Sequence, residues 1–374
     1  MKIALVHDYL AQDGGAERVL KAFHELWPEA PIFVLFHKKG SVAGFENADI
    51  RESFFRFLPW GRTRYQWYLP LMPLATESHN LHEFDVVVSS TSAFAKGILT
   101  RPNTLHISYC HTPTRYLWTD THEYIAELNY NPLVKALLPR LIHKLRMWDK
   151  ASVDRVDQFI ANSRTVKQRI QKYYRHPSDV IFPPVDTHKF SLTPGPKEYF
   201  VTGGRLTAYK RFDLVVQVFN RLGWPLKIYG SGPKWWSDVQ KTAKPNIEFL
   251  GRVDDETRGK LLSGAKAFIH PQVEDFGITP VEAMAAGTPV IAYGVGGATE
   301  SVVPGKTGVF FAEQSWESLL DTLLKFDDTS WDRNAIRDHA LQFDVKKFKH
   351  DMKHYVEDKY KDFLEVQNYV ENRD

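Results

Sequence analysis

Cysteine is nearly absent. Cys110 is the single one in 374 residues, which excludes an internal disulfide and suits a reducing compartment such as the cytosol. No run of 18 uninterrupted apolar residues occurs, so no segment reads as a membrane-spanning helix. The opening MKIALVHDYL has too short an apolar stretch for a secretion signal and reads as a buried first strand. Gly-x-Gly-x-x-Gly is missing, which removes the usual fingerprint of nicotinamide and flavin binding. Net charge is small as well: 48 Lys and Arg against 45 Asp and Glu leave +3, too little to argue for nucleic acid. That charge is unevenly spread, because eleven Lys and Arg accompany only four Asp between residues 131 and 182.

What is present is a soluble globular composition, 43% hydrophobic and 25% charged, in a chain too long for one typical core. Strand-like apolar runs alternate with helical periodicity, the pattern of parallel βαβ units, and the pattern starts twice. Residues 3–6 read as a strand, HDYLAQDGG as a loop and 16–26 as an amphipathic helix; 199–202, GGRLTAYKR and 212–222 repeat the order. The Pro-rich DVIFPPVDTHKFSLTPGPKE separates the two halves. We therefore expect an α/β fold of two doubly wound domains, residues 1–185 and 186–345, with a charged helix over 346–374 packing back toward the first.

The stretch EDFGITPVE places Glu274 and Glu282 eight positions apart, around a turn and just before an apolar helical run. Thr279, Pro280 and Glu282 fit N-cap, N1 and N3 of a capping box, which gives Glu282 a purely structural role. Glu274 precedes the helix and is left over. It follows a strand, and a strand end facing a helix N-terminus is where open α/β sheets bind ligands, with free N–H groups that favour anions.

The stretches GRL…K, HPQVEDFGITPVEAMAAGTPVIA and GKTGVFF resemble the donor-binding domain of retaining GT-B glycosyltransferases of family 4, with Glu-x7-Glu as its signature. HDYLAQDGGAERVL and ISYCHTPTRYLW resemble that family's acceptor domain. The resemblance implies two Rossmann-like domains facing across a cleft and transfer of a hexose from a nucleoside diphosphate sugar. A diphosphate leaving group must be neutralised by a metal or by fixed cations. No Asp-x-Asp occurs, so no metal or other cofactor is expected, and Arg205 and Lys210, beside Gly204, fill that role. Arg forks two phosphate oxygens while Lys acts as a point charge. By resemblance Glu282 accepts from the ribose hydroxyls. Glu274 lies on the sugar side, where it either bonds hydroxyls or stabilises positive charge as the glycosidic bond stretches. Phe276, Gly277, Ile278 and Thr279 supply backbone N–H groups. Gly14 and Gly15 resemble the loop that closes over donor phosphate and acceptor, with a plain turn as the competing account. His111 matches the histidine that approaches the donor sugar, and Gly230 in GSGP lines the ribose side. In GRVDDETRGKLL, Val253 reads the base edge through its backbone, Asp254 caps a helix, and Asp255 accepts the paired N–H donors of guanine. GDP-mannose is therefore the first expectation for the donor and a UDP-sugar the second.

Residues 51–74 interleave Arg51, Arg56, Arg62 and Arg64 with Phe54, Phe55, Trp60, Trp67 and Tyr68, which suits either core packing or an anionic membrane surface. With the basic 131–182 stretch, this points to a glycan or polyprenyl-linked acceptor at the inner face of the cell membrane. Two other classes remain: a nucleotide-sugar isomerase of the 2-epimerase type, which needs no acceptor groove, and a non-catalytic glycan- or membrane-binding module.

Overall fold

The computed structural model describes residues 1–122, 125 and 131–371, so 372–374 of the expected C-terminal helix lie outside it. The chain divides into two compact units, Met1–Phe182 with Phe348–Asp374, and Pro183–Lys347.

The first unit is built on seven parallel strands: β1 (Ile3–His7), β2 (Ile32–Val34), β3 (Ile50–Glu52), β4 (Val86–Thr91), β5 (Leu105–Cys110), β6 (Gln158–Ala161) and β7 (Ser178–Val180). Their spatial order is β3-β2-β1-β4-β5-β6-β7. β1, β4 and β5 are buried along their whole length, as strands covered on both faces should be. The helix Gly15–Leu26 turns Val19, Leu20 and Phe23 inward. Phe23 stacks on Phe348 of the last helix (Val345–Glu371) with ring centroids 5.8 Å apart, and Tyr355 of that helix donates to Asp179 at 2.9 Å. Cys110 is buried.

The second unit holds six parallel strands: β8 (Tyr199–Arg205), β9 (Leu226–Ser231), β10 (Ile247–Gly251), β11 (Ala265–His270), β12 (Val290–Tyr293) and β13 (Gly308–Phe311), in the order β10-β9-β8-β11-β12-β13. Phe212, Val216 and Phe219 of the helix Phe212–Leu222 pack on Ile228, Ile269 and Ile291 of the sheet. In each sheet the strand order reverses once, between β1 and β4 and between β8 and β11. Connections leave in opposite directions there, and side chains at such strand ends can meet a ligand.

One carboxylate organises the first of these points. Asp8, next after β1, accepts from the backbone N–H groups of Ser92, Ala93, Phe94 and Ala95 at 2.7–2.9 Å, which ties the loop after β4 to the end of β1. An ionised acceptor-only group suits four donors. Asp8→Ala leaves several buried N–H groups without an acceptor, and unfolding in urea should show a loss of about 3 kcal/mol; a loss under about 0.5 kcal/mol would contradict that role.

Candidate active site

In the second unit, β8 ends on Gly203-Gly204-Arg205 and is followed by a single 3-10 turn, Ala208–Lys210. A Cβ on Gly230 would lie 1.8 Å from the Gly204 carbonyl oxygen, and Gly230 has φ 118°, so the ends of β8 and β9 approach in a way that only glycine permits. Lys210 Nζ lies 2.8 Å from Glu274 Oε1, both side chains being largely covered at 14% and 21% exposure. Arg205 is exposed and has no carboxylate partner among the described residues. The two cations thus differ: one is held in place, the other is free to reach.

The helix after Glu274 starts earlier than the capping-box reading places it. It spans Ile278–Ala285, with Gly277 at the N-cap (φ 90°) and no side-chain cap. Thr279 is therefore inside the first turn and Glu282 lies at the fifth helical position, too far to reach back. Pro280 falls at the third position, where a missing N–H costs nothing because the first four are unpaired anyway. The first-turn N–H groups of Ile278 and Thr279 have no N-cap side chain over them. Phe276 is buried and packs edge-on against Phe343, so only its backbone is offered to the site.

Glu282, at 4% side-chain exposure, is 3.3 Å from Arg258. Arg258 also pairs with Asp255 at 2.8 Å, and Asp255 takes Lys189 on its other oxygen at 2.8 Å. Asp254 caps the helix Asp255–Ser263 through Thr257 N at 2.7 Å, the role expected for it. Val253 is half-buried beside it.

Two features of this unit were not marked by the sequence. Gly294-Val295-Gly296-Gly297 after β12 presses flat on the Glu274 loop: Gly297 N donates to the Glu274 carbonyl at 2.8 Å, and a Cβ on Gly297 would lie 2.2 Å from Phe276 Cα. Its glycine spacing was a usable signal. His270, at the end of β11, is the other. Burial lowers its pKa to about 4, Glu274 opposing and Lys210 adding to the effect, so the ring is neutral. Neither of its nitrogens finds a protein partner among the described residues, and Nε2 lies 3.6 Å from where a Gly277 Cβ would be.

In the first unit, His111 follows β5. Its Nε2 is 2.8 Å from Ser90 Oγ at the end of β4, and Ser90 Oγ is 3.1 Å from His7 Nδ1 at the end of β1. Burial, with His7 nearby as a second cause, pulls the pKa of His111 down to about 3. Glu17 Oε1 is 3.9 Å from His7 Nε2, and a Cβ on Gly14 would lie 2.8 Å from Glu17 Oε2. Gly14, the N-cap of its helix, therefore makes room for this buried carboxylate; Gly15 is exposed. His7, Glu17 and Ser90 were not singled out by sequence, where each looks like an ordinary strand or helix residue. Among the described residues no three His, Cys, Asp or Glu gather as metal ligands.

Two doubly wound sheets, the second with glycine-rich strand ends, define a class that the family comparisons identify. The family 4 glycosyltransferase model matches residues 13–189, and the model of glycosyl transferases group 1 matches 185–342. The chain belongs to the GT-B glycosyltransferases of family 4. It is 25% identical to the alpha-1,3/1,6-mannosyltransferase ALG2 of Dictyostelium discoideum over 60% of this chain and 63% of that one. It is 27% identical to the lipopolysaccharide core biosynthesis mannosyltransferase LpsB of Rhizobium meliloti over 48% of this chain and 58% of that protein. The crystal structure of Anabaena HepE in complex with UDP and glucose shares the fold, with a TM-score of 0.68 at 17% identity, over 96% of this chain and 99% of that one. The alignments span 61%, 32% and 48% of the first three curated relatives.

The Arg258–Glu282 pair carries a stability prediction. Removing one partner of a buried pair leaves the other charge uncompensated. Arg258→Ala should lower the unfolding free energy by about 3 kcal/mol, and Arg258→Ala with Glu282→Gln by less; equal losses in the two variants would show that the pair is not the cause.

Proposed function

We propose that this chain is a retaining, metal-independent hexosyltransferase, moving mannose from GDP-mannose to a glycan or lipid-linked acceptor. The observation that carries the reading is the Lys210–Glu274 ion pair, set between the end of β8 and the uncapped N-terminus of the helix Ile278–Ala285. It puts a fixed cation, free N–H groups and a carboxylate within one small region at a strand-order reversal. Lys210 and Arg205 take the charge that develops on the departing diphosphate, with the N–H groups of Ile278 and Thr279 beside them. Glu274, held by Lys210 until the donor binds, turns to the sugar. Glu282, held in turn by Arg258, accepts from the ribose hydroxyls, a role suited to a group without protons. The acceptor oxygen attacks the anomeric carbon from the face the phosphate leaves, and its proton goes to that phosphate. The mannosyltransferase names of the relatives support the choice of sugar.

One observation favours a UDP-sugar instead. Asp255 already serves Lys189 and Arg258, and if it stays with them the base is read by the backbone at Arg252 and Val253, which suits uracil. Guanine binding would instead take Asp255 away from Lys189 or Arg258 so that it accepts N1–H and N2–H.

Calorimetry in EDTA separates these readings. GDP should bind more tightly than UDP, transfer should persist without metal, and Lys210→Ala or Arg205→Ala should slow it about a hundredfold, on the order of 3 kcal/mol. Inactivation by EDTA that Mn²⁺ reverses would overturn the cation clamp, and tighter UDP binding would overturn the guanine assignment.

An anionic membrane surface is the partner we propose for residues 51–74. No helix among the described residues is long and apolar enough to cross a membrane. Phe55 of the segment is core, but Phe57, Trp60 and Trp67 are 74%, 65% and 56% exposed. Arg56 lies over Phe57 at 4.5 Å and Arg64 over Trp67 at 4.7 Å, so cations and rings come in pairs, whereas Arg62 is bonded to Glu52. The protein should sediment with anionic vesicles at low salt and be released as salt rises. Arg56→Glu with Arg64→Glu should abolish sedimentation; unchanged binding would exclude this face.

A further inference from the structure

Three side chains at the strand-order reversal of the first unit form one hydrogen-bonded chain, His7, Ser90 and His111, and its proton positions can be worked out from what each atom is able to do. His7 Nδ1 lies 3.1 Å from the Ser90 carbonyl oxygen, which can only accept. That nitrogen therefore carries a proton. It also lies 3.1 Å from Ser90 Oγ, so the serine hydroxyl cannot donate to it. Ser90 is fully buried, and its hydroxyl proton needs an acceptor. Within reach is His111 Nε2 at 2.8 Å. An Nε2 that accepts has no proton of its own, and a neutral imidazole then bears its proton on Nδ1.

We propose that Ser90, oriented by His7, is a positioning residue that locks His111 as the neutral Nδ1–H tautomer, so that His111 donates a hydrogen bond to a ligand oxygen, such as a sugar hydroxyl, and does not act as a base. The proposal rests on the transferase reading for the identity of the ligand but not for the tautomer. Burial keeps His111 neutral, its pKa being lowered to about 3. The Glu17 carboxylate lies on the far side of the chain, 3.9 Å from His7 Nε2. No protein acceptor for His111 Nδ1 occurs among the described residues, so the donor is open to a ligand.

The neighbouring pair supplies an internal reference. His106 Nε2 lies 2.9 Å from Ser89 Oγ and its Nδ1 is 3.0 Å from the Arg155 carbonyl oxygen, which fixes the same tautomer by an independent acceptor. Both rings are buried and neutral.

Long-range ¹H–¹⁵N spectra of the whole protein labelled with ¹⁵N-histidine read the tautomers without turnover. In the unsubstituted protein His111 and His106 should both carry the proton on Nδ1. In Ser90→Ala, His111 should become a mixture of tautomers while His106 stays unchanged, and Ser90→Thr should restore the original His111 signal. Transfer should slow about tenfold in Ser90→Ala, the worth of one neutral hydrogen bond, and recover in Ser90→Thr. An Nε2–H tautomer of His111 in the unsubstituted protein, or a His111 signal unmoved by Ser90→Ala, would overturn the proposal. The unsubstituted spectrum decides the first point even if Ser90→Ala does not fold. An inactive protein with the Nδ1–H tautomer would count against the transferase reading alone.

Discussion

The constraint on which the rest depends is the single reversal of strand order in each parallel sheet. Where β1 meets β4, and where β8 meets β11, the connections depart to opposite sides, the place at which open parallel sheets bind ligands. Several of the polar groups described above gather there. His7, Ser90 and His111 stand at the ends of β1, β4 and β5 or just beyond, while Gly204, Arg205 and His270 stand at the ends of β8 and β11. Asp8 holds the first reversal closed on one side by collecting four N–H groups of the next loop, which fixes the backbone from which Ser90 projects.

A second theme is how buried charge is handled. Desolvation makes an isolated buried carboxylate costly, so each one here is given a partner whose chemistry suits its surroundings. Asp8 has backbone donors only, Glu282 has the guanidinium of Arg258, and Glu274 has the ammonium of Lys210. The difference matters for function. A carboxylate tied to a backbone is a strut, whereas one paired with a lysine on a short turn can exchange that cation for a ligand. His106, His111 and His270 follow the opposite rule: burial is the largest cause lowering their pKa values, and they stay neutral.

Glycines answer the same shortage of space. Gly230 against Gly204, and Gly297 against Phe276, let two backbones touch at strand and loop ends where any side chain would push them apart. Gly277 begins its helix with φ 90°, a conformation that costs other residues strain, and it leaves the first turn without a side-chain cap. A tightly packed, side-chain-free rim of this kind is rigid and still exposes its N–H groups.

Local pattern by itself determined the architecture. Apolar runs of strand length, helical periodicity and a Pro-rich divide are properties of neighbouring residues, and they specify two α/β layers before any contact is known; Phe212–Leu222 and the Asp254 cap lie where the pattern put them. The Glu-x7-Glu spacing, with the resemblance it carries, likewise marked Glu274 and Glu282. Only tertiary structure decided what those residues face. The capping box failed because the helix start was set by Gly277 in a left-handed conformation, and Glu282 found Arg258 across a 24-residue separation. His7, Ser90 and His111 are separated by 83 and 21 positions, and nothing in the identity of a histidine or a serine announces such a partner. Sequence spacing encodes which face of an element a residue occupies, but the meeting of faces is settled by sheet order, and that is a property of the packed chain.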